Sequence, residues 1–297
     1  GRDTLRPMVL VTGATGLIGS ELLPRLTAGG APVRCLVRDP RRLGAERVRV
    51  QIVLGDLADH RSLANATRGI RHVIHLAAAS HDQDEGTIEE LGSIATWRLI
   101  EAAEAAGVER FTYFSALGAG RGAPTRLLRD KAIAEDAVAS ARITTTTFAL
   151  SLAHAAPDPL FTAIDACSRA GFIPVPGAGR YQPIWVSDIA DAVIAHAALP
   201  SQSGHQRVEL AGPQALDLRT ISRLVGSSLG RRRPALPTTP GFAKTMLKIS
   251  TSGAAELPMV WDRQALLGGE MIAAGGSADA LALGVSPRRF SDVLGLD

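Results

Sequence analysis

The chain has little of what would mark it as secreted, membrane-spanning or nucleic-acid-binding. Only 2 of its 297 residues are cysteine. Cys35 and Cys167 stand far apart with no ligand-type cluster beside them, which argues against a disulfide framework or a metal site. No run approaches the roughly 20 successive apolar residues that a membrane-crossing helix needs. The first residues also lack a basic-then-apolar leader, so the expectation is a soluble, cytoplasmic protein with no membrane span. Basic residues exceed acidic ones by only 3, too small an excess to point to a nucleic acid partner. The one dense basic run, Arg231-Arg232-Arg233, sits between a Gly and a Pro and reads as a solvated loop or an anion site. No heptad, repeat or low-complexity tract is present, which excludes solenoids and coiled coils.

What the chain does have is length and apolar content, 46%, enough for a sizeable buried core. Its first half alternates short β-branched runs with helical stretches, the rhythm of a parallel sheet covered on both faces. Strands are predicted at Met8 to Thr12, Val33 to Val37, Val48 to Leu54, Val73 to Leu76, Phe111 to Ser115 and Ile143 to Leu150. Helices are predicted at Leu17 to Ala28, Ser62 to Thr67, Thr87 to Ala106 and Arg126 to Ser140, the third ended by Gly107. Gly1 to Pro7, polar and ahead of Met8, are assigned to no element. Beyond residue 150, prolines at 157, 159, 174, 176 and 183 break the rhythm. There Ser187 is expected to cap a helix running to about Ala198 with Asp188 in its first turn, and Val208 to Leu210 is expected as one more strand.

The chemistry concentrates where the first strand ends. Val9-Leu10-Val11 runs into Thr12-Gly13-Ala14-Thr15-Gly16-Leu17-Ile18-Gly19, followed at once by a helix. Such a turn aims backbone N–H groups and a positive helix end at a diphosphate. Gly13 permits the tight turn, Gly16 lets the diphosphate approach, and Gly19 lets helix pack closely on strand. The Lys-Ser/Thr ending of a nucleoside-triphosphate loop is missing. At the end of the second predicted strand stands Arg38, where an acidic residue would grip a ribose 2′-hydroxyl and an Arg pairs with a 2′-phosphate. NADP(H) is therefore the favoured cofactor, with Arg41 and Arg42 adding positive field. Asp39, one residue on, keeps NAD(H) open.

Several segments resemble the short-chain dehydrogenase/reductase superfamily, in its extended and atypical branches. Thr12 to Gly19 is similar to the superfamily's cofactor fingerprint, Gly55-Asp56-Leu57 to its adenine-contacting segment, and His75-Leu76-Ala77-Ala78-Ala79 to the segment lining the cofactor cleft. Phe114-Ser115-Ala116 resembles its serine-bearing strand end. Pro183-Ile184-Trp185-Val186-Ser187-Asp188-Ile189-Ala190 resembles a stretch of the atypical branch that includes NmrA-like regulators, isoflavone-reductase-like enzymes and the complex I accessory-subunit type. The resemblance implies an α/β, Rossmann-type doubly wound parallel sheet. Residues 1–150 would form the dinucleotide-binding region and 151–297 a smaller substrate-facing lobe interleaved with it. It also implies cofactor contacts from Gly13, Ala14, Thr15, Gly16, Leu17, Ile18, Gly19, Arg38, Asp56, Leu57, Ala77, Ala78, Ala79, Ser115 and Lys131.

The usual chemistry of the superfamily pairs a Tyr proton donor with a Lys four positions later. Lys131 matches that Lys, but Leu127 stands where the Tyr should be, and the two tyrosines, Tyr113 and Tyr181, lie elsewhere. Gly92 stands where extended members commonly carry Asn, and Leu150-Ser151 where relatives often carry Arg-Pro. Lys131 is then either an acid or base, as in isoflavone-reductase-like relatives, or a ribose ligand only. Ser115 either orients a substrate carbonyl or satisfies backbone groups. His81 and His154, each following a strand, are either acids or structural residues. Leu152, Phe161, Ile164, Phe172 and Trp185 are available for an apolar cleft or for plain core. Two function classes follow: an NADPH-dependent reductase of a small organic molecule, aromatic or quinone-like, or a noncatalytic, cofactor-responsive regulator or accessory subunit with a protein partner.

Overall fold

A computed structural model describes residues 8–77, 86–155, 159–169, 171–175, 177–239, 241–243 and 269–296. The chain divides into two compact units, each assembled from separate stretches. The first comprises Gly1–Ser115, Asp130–Ala149 and Ile189–Val208; the second comprises Ala116–Arg129, Leu150–Asp188 and Glu209–Asp297.

The strands are β1 (Val9–Thr12), β2 (Val33–Val37), β3 (Gln51–Leu54), β4 (His72–His75), β5 (Arg110–Ala116), β6 (Thr144–Leu150), β7 (Ala153–His154), β8 (Ile173–Val175), β9 (Arg180–Tyr181), β10 (Ile184–Trp185), β11 (His205–Leu210), β12 (Leu216–Asp217) and β13 (Ala235–Pro237). Seven of them form the central sheet in the order β11-β6-β5-β4-β1-β2-β3. The β1–β2, β1–β4, β2–β3 and β4–β5 pairings are parallel. The reversal of strand order beside β1 is the switch point at which such sheets open a crevice at their carboxyl ends.

Helices α1 (Leu17–Ala28), α2 (His60–Thr67), α3 (Ile88–Leu91), α4 (Ser93–Ala105), α5 (Arg126–Ala139), α6 (Pro159–Arg169), α7 (Val186–Ala198) and α8 (Leu218–Ser228) connect and cover the strands. In the first unit, Leu10, Val73, Phe111 and Tyr113 point to one sheet face by their period of two. They pack with Leu63 and Ala66 of α2, Leu99 and Ala103 of α4, and Ala134 and Val138 of α5. Arg25 of α1 donates to Asp191 of α7 at 2.8 Å. Among the described residues no helix is long and apolar enough to cross a membrane.

Three local expectations are corrected. The stretch 87–106 is not one helix: Gly92, at φ −105° and ψ −100°, separates α3 from α4. A Cβ placed on Gly92 would lie 2.0 Å from Asp130 Oδ2 and 2.7 Å from the Ile88 carbonyl oxygen. Asp130, buried in α5, accepts the Ser93 N–H through both carboxylate oxygens at 3.2 Å and so caps α4 from outside. Strand β3 starts at Gln51 instead of Val48, because Pro40–Val48 coils into two short 3-10 turns that meet in a kink at Gly44, the first with Asp39 as its N-cap. Helix α7 begins at Val186, so Ser187 lies inside it; Asp188 does occupy the first turn.

In the second unit, β7 pairs with β10, β13 with β8, and β12 with β9. Gln182 is the centre of a buried polar knot: its backbone N–H donates to Ser151 Oγ at 2.9 Å, and its amide oxygen accepts Ala273 N–H at 2.8 Å. Asp188 accepts the Arg288 backbone N–H at 2.9 Å, and the Arg288 guanidinium lies 3.7 Å from the Trp185 ring centre. The Trp185-to-Asp188 part of the distinctive Pro183-to-Ala190 stretch thus anchors a segment from near the chain's end. Arg231 donates to Asp165, which also receives Arg169, so the basic run begins in an ion-paired connection.

Candidate dinucleotide site

The glycine-rich turn is crowded where the fold needs it and open where a ligand would. Gly13 has φ +73°, a left-handed conformation that residues with a Cβ disfavour. A Cβ there would also meet Ala77 N at 2.5 Å and Leu76 C at 2.7 Å, so the turn begins directly against the end of β4. At Gly19 a Cβ would fall 2.3 Å from the Gly13 carbonyl oxygen and 2.7 Å from Ala14, which is the close helix-to-strand approach. Gly16 is different. It is exposed, caps α1 with extended backbone, and a Cβ on it would have one neighbour, Gly13 O at 3.3 Å. A side chain is excluded from positions 13 and 19 by the protein itself, whereas position 16 is a cradle that a Cβ would fill. Leu17, Ile18 and Gly19, in the first turn of α1, carry amides that an intrahelical ladder leaves unpaired. The residues therefore fit a diphosphate.

The other expected contacts lie on the carboxyl ends of neighbouring strands in the same unit. Arg38 follows β2 and is exposed. Asp39 is engaged elsewhere: its carboxylate accepts Arg41 Nε at 3.0 Å and the Arg41 backbone N–H at 3.0 Å, and the Arg41 side chain foremost holds it below the usual carboxylate range. Asp56 and Leu57 follow β3, half-buried, with Asp56 Oδ1 accepting Ala58 N–H at 2.9 Å. Ala77 follows β4, and Ala14 and Thr15 lie within the turn. Ala78, Ala79 and His81 lie outside the described residues.

The Lys131 ammonium reaches the strand residue next to Ser115. Ser115, near the end of β5, is 3% exposed, and its Oγ has no hydrogen-bond partner among the described residues. Lys131 Nζ donates to the carbonyl of the adjacent Phe114 at 3.1 Å and lies 5.7 Å from the Tyr113 ring centre. Burial pushes Lys131 down to about 8, against the opposing pull of Asp130 and Glu135. A buried hydroxyl left without a partner is costly unless something else satisfies it. Ser115 and the Lys131 ammonium, bound to the neighbouring Phe114 carbonyl, give the end of β5 a polar character.

The remaining candidates are not gathered here. His154 is buried in the second unit with its ring edge-on to Phe290 at 4.8 Å. Tyr113 is buried on β5 and Tyr181 on β9, each with its phenol pushed up by burial, and position 127 is a buried Leu. Leu152, Phe161 and Ile164 are core of the second unit, and Phe172 stacks on Phe242. Cys35 and Cys167 are both buried.

Sequence reasoning missed a buried polar chain below the turn. Thr12 Oγ1 lies 2.6 Å from His75 Nδ1, His75 Nε2 lies 3.0 Å from Thr96 Oγ1, and Thr96 donates to the Gly92 carbonyl at 2.8 Å. Thr12 and His75 are direct partners in the parallel β1–β4 register. Once that pairing is assumed, their adjacency is the signal that finds them.

Residues 13–150 match the profile of a protein family described as NAD(P)H-binding. The NAD(P)H azoreductase of Xenophilus azovorans is 28% identical over 230 residues, covering 75% of this chain and 74% of that protein. The mitochondrial NADH dehydrogenase (ubiquinone) 1 alpha subcomplex subunit 9 of Arabidopsis thaliana is 28% identical over 236 residues, 76% of this chain and 59% of its own length. The chain thus spans less than two thirds of that relative. In fold, it is similar to an NADPH-dependent quinone oxidoreductase of Escherichia coli solved with NADPH, with TM-score 0.74, 21% identity, and 97% of this chain and 99% of that one covered. The glycine cradle, the strand order and these likenesses converge: residues 13–150 match the profile of the NAD(P)H-binding family, and the chain carries them in a Rossmann-type fold.

Proposed function

We propose that the chain is an NADPH-dependent reductase of a small organic molecule, aromatic or quinone-like, working without the superfamily's Tyr. The observation that carries this is Ser115 Oγ, buried and unpartnered among the described residues, on the strand residue next to Phe114, whose carbonyl accepts from Lys131 Nζ. The dinucleotide would be held by the amides at the start of α1, with Gly13, Gly16 and Gly19 giving room. Asp56, Leu57 and Ala77 would flank it, as would Ala78 and Ala79, which the sequence assigns to the same segment. When bound, the reduced nicotinamide supplies a hydride; the protein's task is to position, to exclude water and to deliver a proton. Lys131 holds a proton at Nζ that burial makes easier to release, and Ser115 offers a hydroxyl to orient a carbonyl or related acceptor. Arg38 is the contact for a 2′-phosphate. Arg41, ion-paired with Asp39, offsets the carboxylate's charge beside Arg38, which supports NADP(H) over NAD(H).

The azoreductase and quinone oxidoreductase likenesses support this substrate class. Steady-state NADPH oxidation against quinones, azo compounds, enones and imines tests it. Turnover of at least one class, lost in Lys131→Met, is expected. Arg38→Ala should weaken NADPH far more than NADH, and equal losses for the two would remove the phosphate assignment. The buried Leu at position 127 favours a second reading, in which the chain binds the cofactor as a noncatalytic regulator or accessory subunit; the Arabidopsis relative is an NADH dehydrogenase subunit. NADPH binding with no turnover of any class would select it.

A further inference from the structure

We infer that His75 is a positioning residue for the dinucleotide turn: its ring, held in one tautomer, ties Thr12 at the end of β1 to Thr96 in α4 and so fixes where Gly13 starts the turn. This rests on the dinucleotide reading above and adds to it a residue that touches no ligand.

The geometry specifies the tautomer. Thr96 Oγ1 donates its single proton to the Gly92 carbonyl, 2.8 Å away. Toward His75 Nε2, at 3.0 Å, Thr96 can then only accept, so Nε2 carries the hydrogen. His75 Nδ1 is left as an acceptor, and Thr12 Oγ1, 2.6 Å away, is the donor. Each donor in this relay is thereby used once: Thr12 O–H to His75, His75 N–H to Thr96, Thr96 O–H to Gly92. Thr12, His75 and Thr96 are each no more than 1% exposed, and the ring sits about equally far from the Phe111 and Tyr113 rings, 6.0 and 5.9 Å. In such surroundings water cannot replace a lost partner.

The backbone repeats the same tie. Leu76 N–H donates to the Thr12 carbonyl at 3.0 Å, and the next residue, Gly13, lies against Leu76 and Ala77 with no room for a Cβ. A shift of the His75 ring therefore moves the strand end on which Gly13 rests, and with it the amides at positions 16 to 19. At the other end, the Gly92 carbonyl belongs to the helix break that Asp130 caps, one residue from Lys131. The two halves of the proposed site, turn and lysine, are joined through the buried Thr12, His75, Thr96, Gly92, Ser93 and Asp130.

Side-chain 15N spectra of labelled protein test the tautomer: a slowly exchanging His75 Nε2–H with a bare Nδ1 is expected, and an Nδ1–H form or averaging between the two would overturn the inference. NADPH titration tests the consequence. His75→Asn keeps an acceptor at the Nδ1 position and should hold Kd within about threefold, whereas His75→Gln and His75→Phe should each raise it about tenfold by orphaning Thr12. Thermal melts beside each titration separate stability from positioning, because destabilisation alone leaves the affinity of the folded fraction unchanged. Should His75→Phe not fold, Thr12→Ser and Thr12→Val repeat the contrast from the other end, with only Val expected to weaken binding. Equal affinity across all variants would sink the strut, whereas an unaltered protein that binds no NADPH would sink the dinucleotide reading instead.

Discussion

Replacing Gly16 with Ala separates what the turn does for the fold from what it does for a ligand. The added Cβ would meet a single atom, Gly13 O at 3.3 Å, in a backbone conformation, φ −81° and ψ 178°, that Ala adopts freely. Exchange of Gly for Ala at a helix N-cap costs about 0.5–1 kcal/mol, a fall in Tm of roughly 1–2 °C for a chain of this size. Binding should suffer more. The methyl group would occupy the space where a diphosphate must approach to reach the amides of α1, and losing one hydrogen bond to a charged partner costs about 1.5–3 kcal/mol. That corresponds to roughly a 10- to 150-fold rise in Kd for NADPH. Gly19→Ala is the contrasting case, with contacts of 2.3 and 2.7 Å to backbone atoms. Overpacking of about 1–3 kcal/mol should outweigh the gain of about 0.5–1 kcal/mol from Ala in a helix, so stability falls first. Isothermal titration beside thermal melting reads both quantities. A Gly16→Ala protein that binds NADPH within twofold of the unaltered chain would refute the placement of the diphosphate at this turn.

Gly92→Ala should destabilise by about 1–3 kcal/mol in urea titration, because its Cβ would overlap the Asp130 carboxylate; Asp130→Ala in the same chain should recover part of that loss as a non-additive coupling. Burial sets Lys131 at about 8 in the folded chain, below its ordinary 10.5. Between those values the unfolded chain holds a proton that the folded one has released, so stability should rise with pH there, and melts of Lys131→Met should lack that rise. His72 and His75 are pushed down by burial to about 3 from 6.5. Stability should therefore decline as pH falls through the window from 6.5 toward 3, and His72→Gln, which can still reach Thr112, should flatten part of that slope in acid titrations followed by circular dichroism.

The elements readable in advance were those whose cause is local. Leu17 to Ala28 and Val33 to Val37 have the bounds expected of them, because apolar period, glycine turn and flanking Pro all act within a few residues. The three cradle glycines were legible for the same reason: spacing and context lie in one segment. The break at Gly92 was not, because the apolar period continues across it and the group that stabilises it, the Asp130 carboxylate, arrives from another helix. The 3-10 turn before β3 was obscured by the β-branched Val48, which is exposed. Ser187 was given the capping role on residue type, whereas β10 delivers the chain straight into α7 at Val186. Spacing points to Lys131 as a candidate, but its docking on Phe114 needs the three-dimensional register, as does the link from Thr12 to His75. Arg38 directly follows β2, and Asp56 and Leu57 follow β3, as their place after β-branched runs implies.

The way the first unit is stitched from three stretches bears on how the protein is made. On the ribosome, a nascent chain that has emerged only to residue 150 has its glycine turn and six strands but presents β6 with a bare edge, since β11 at residues 205–210 has yet to arrive. During that interval of synthesis, residues 150–188 of the other unit are already outside the tunnel while the first is still incomplete. The β6 edge is therefore closed only once residues 205–210 have been made.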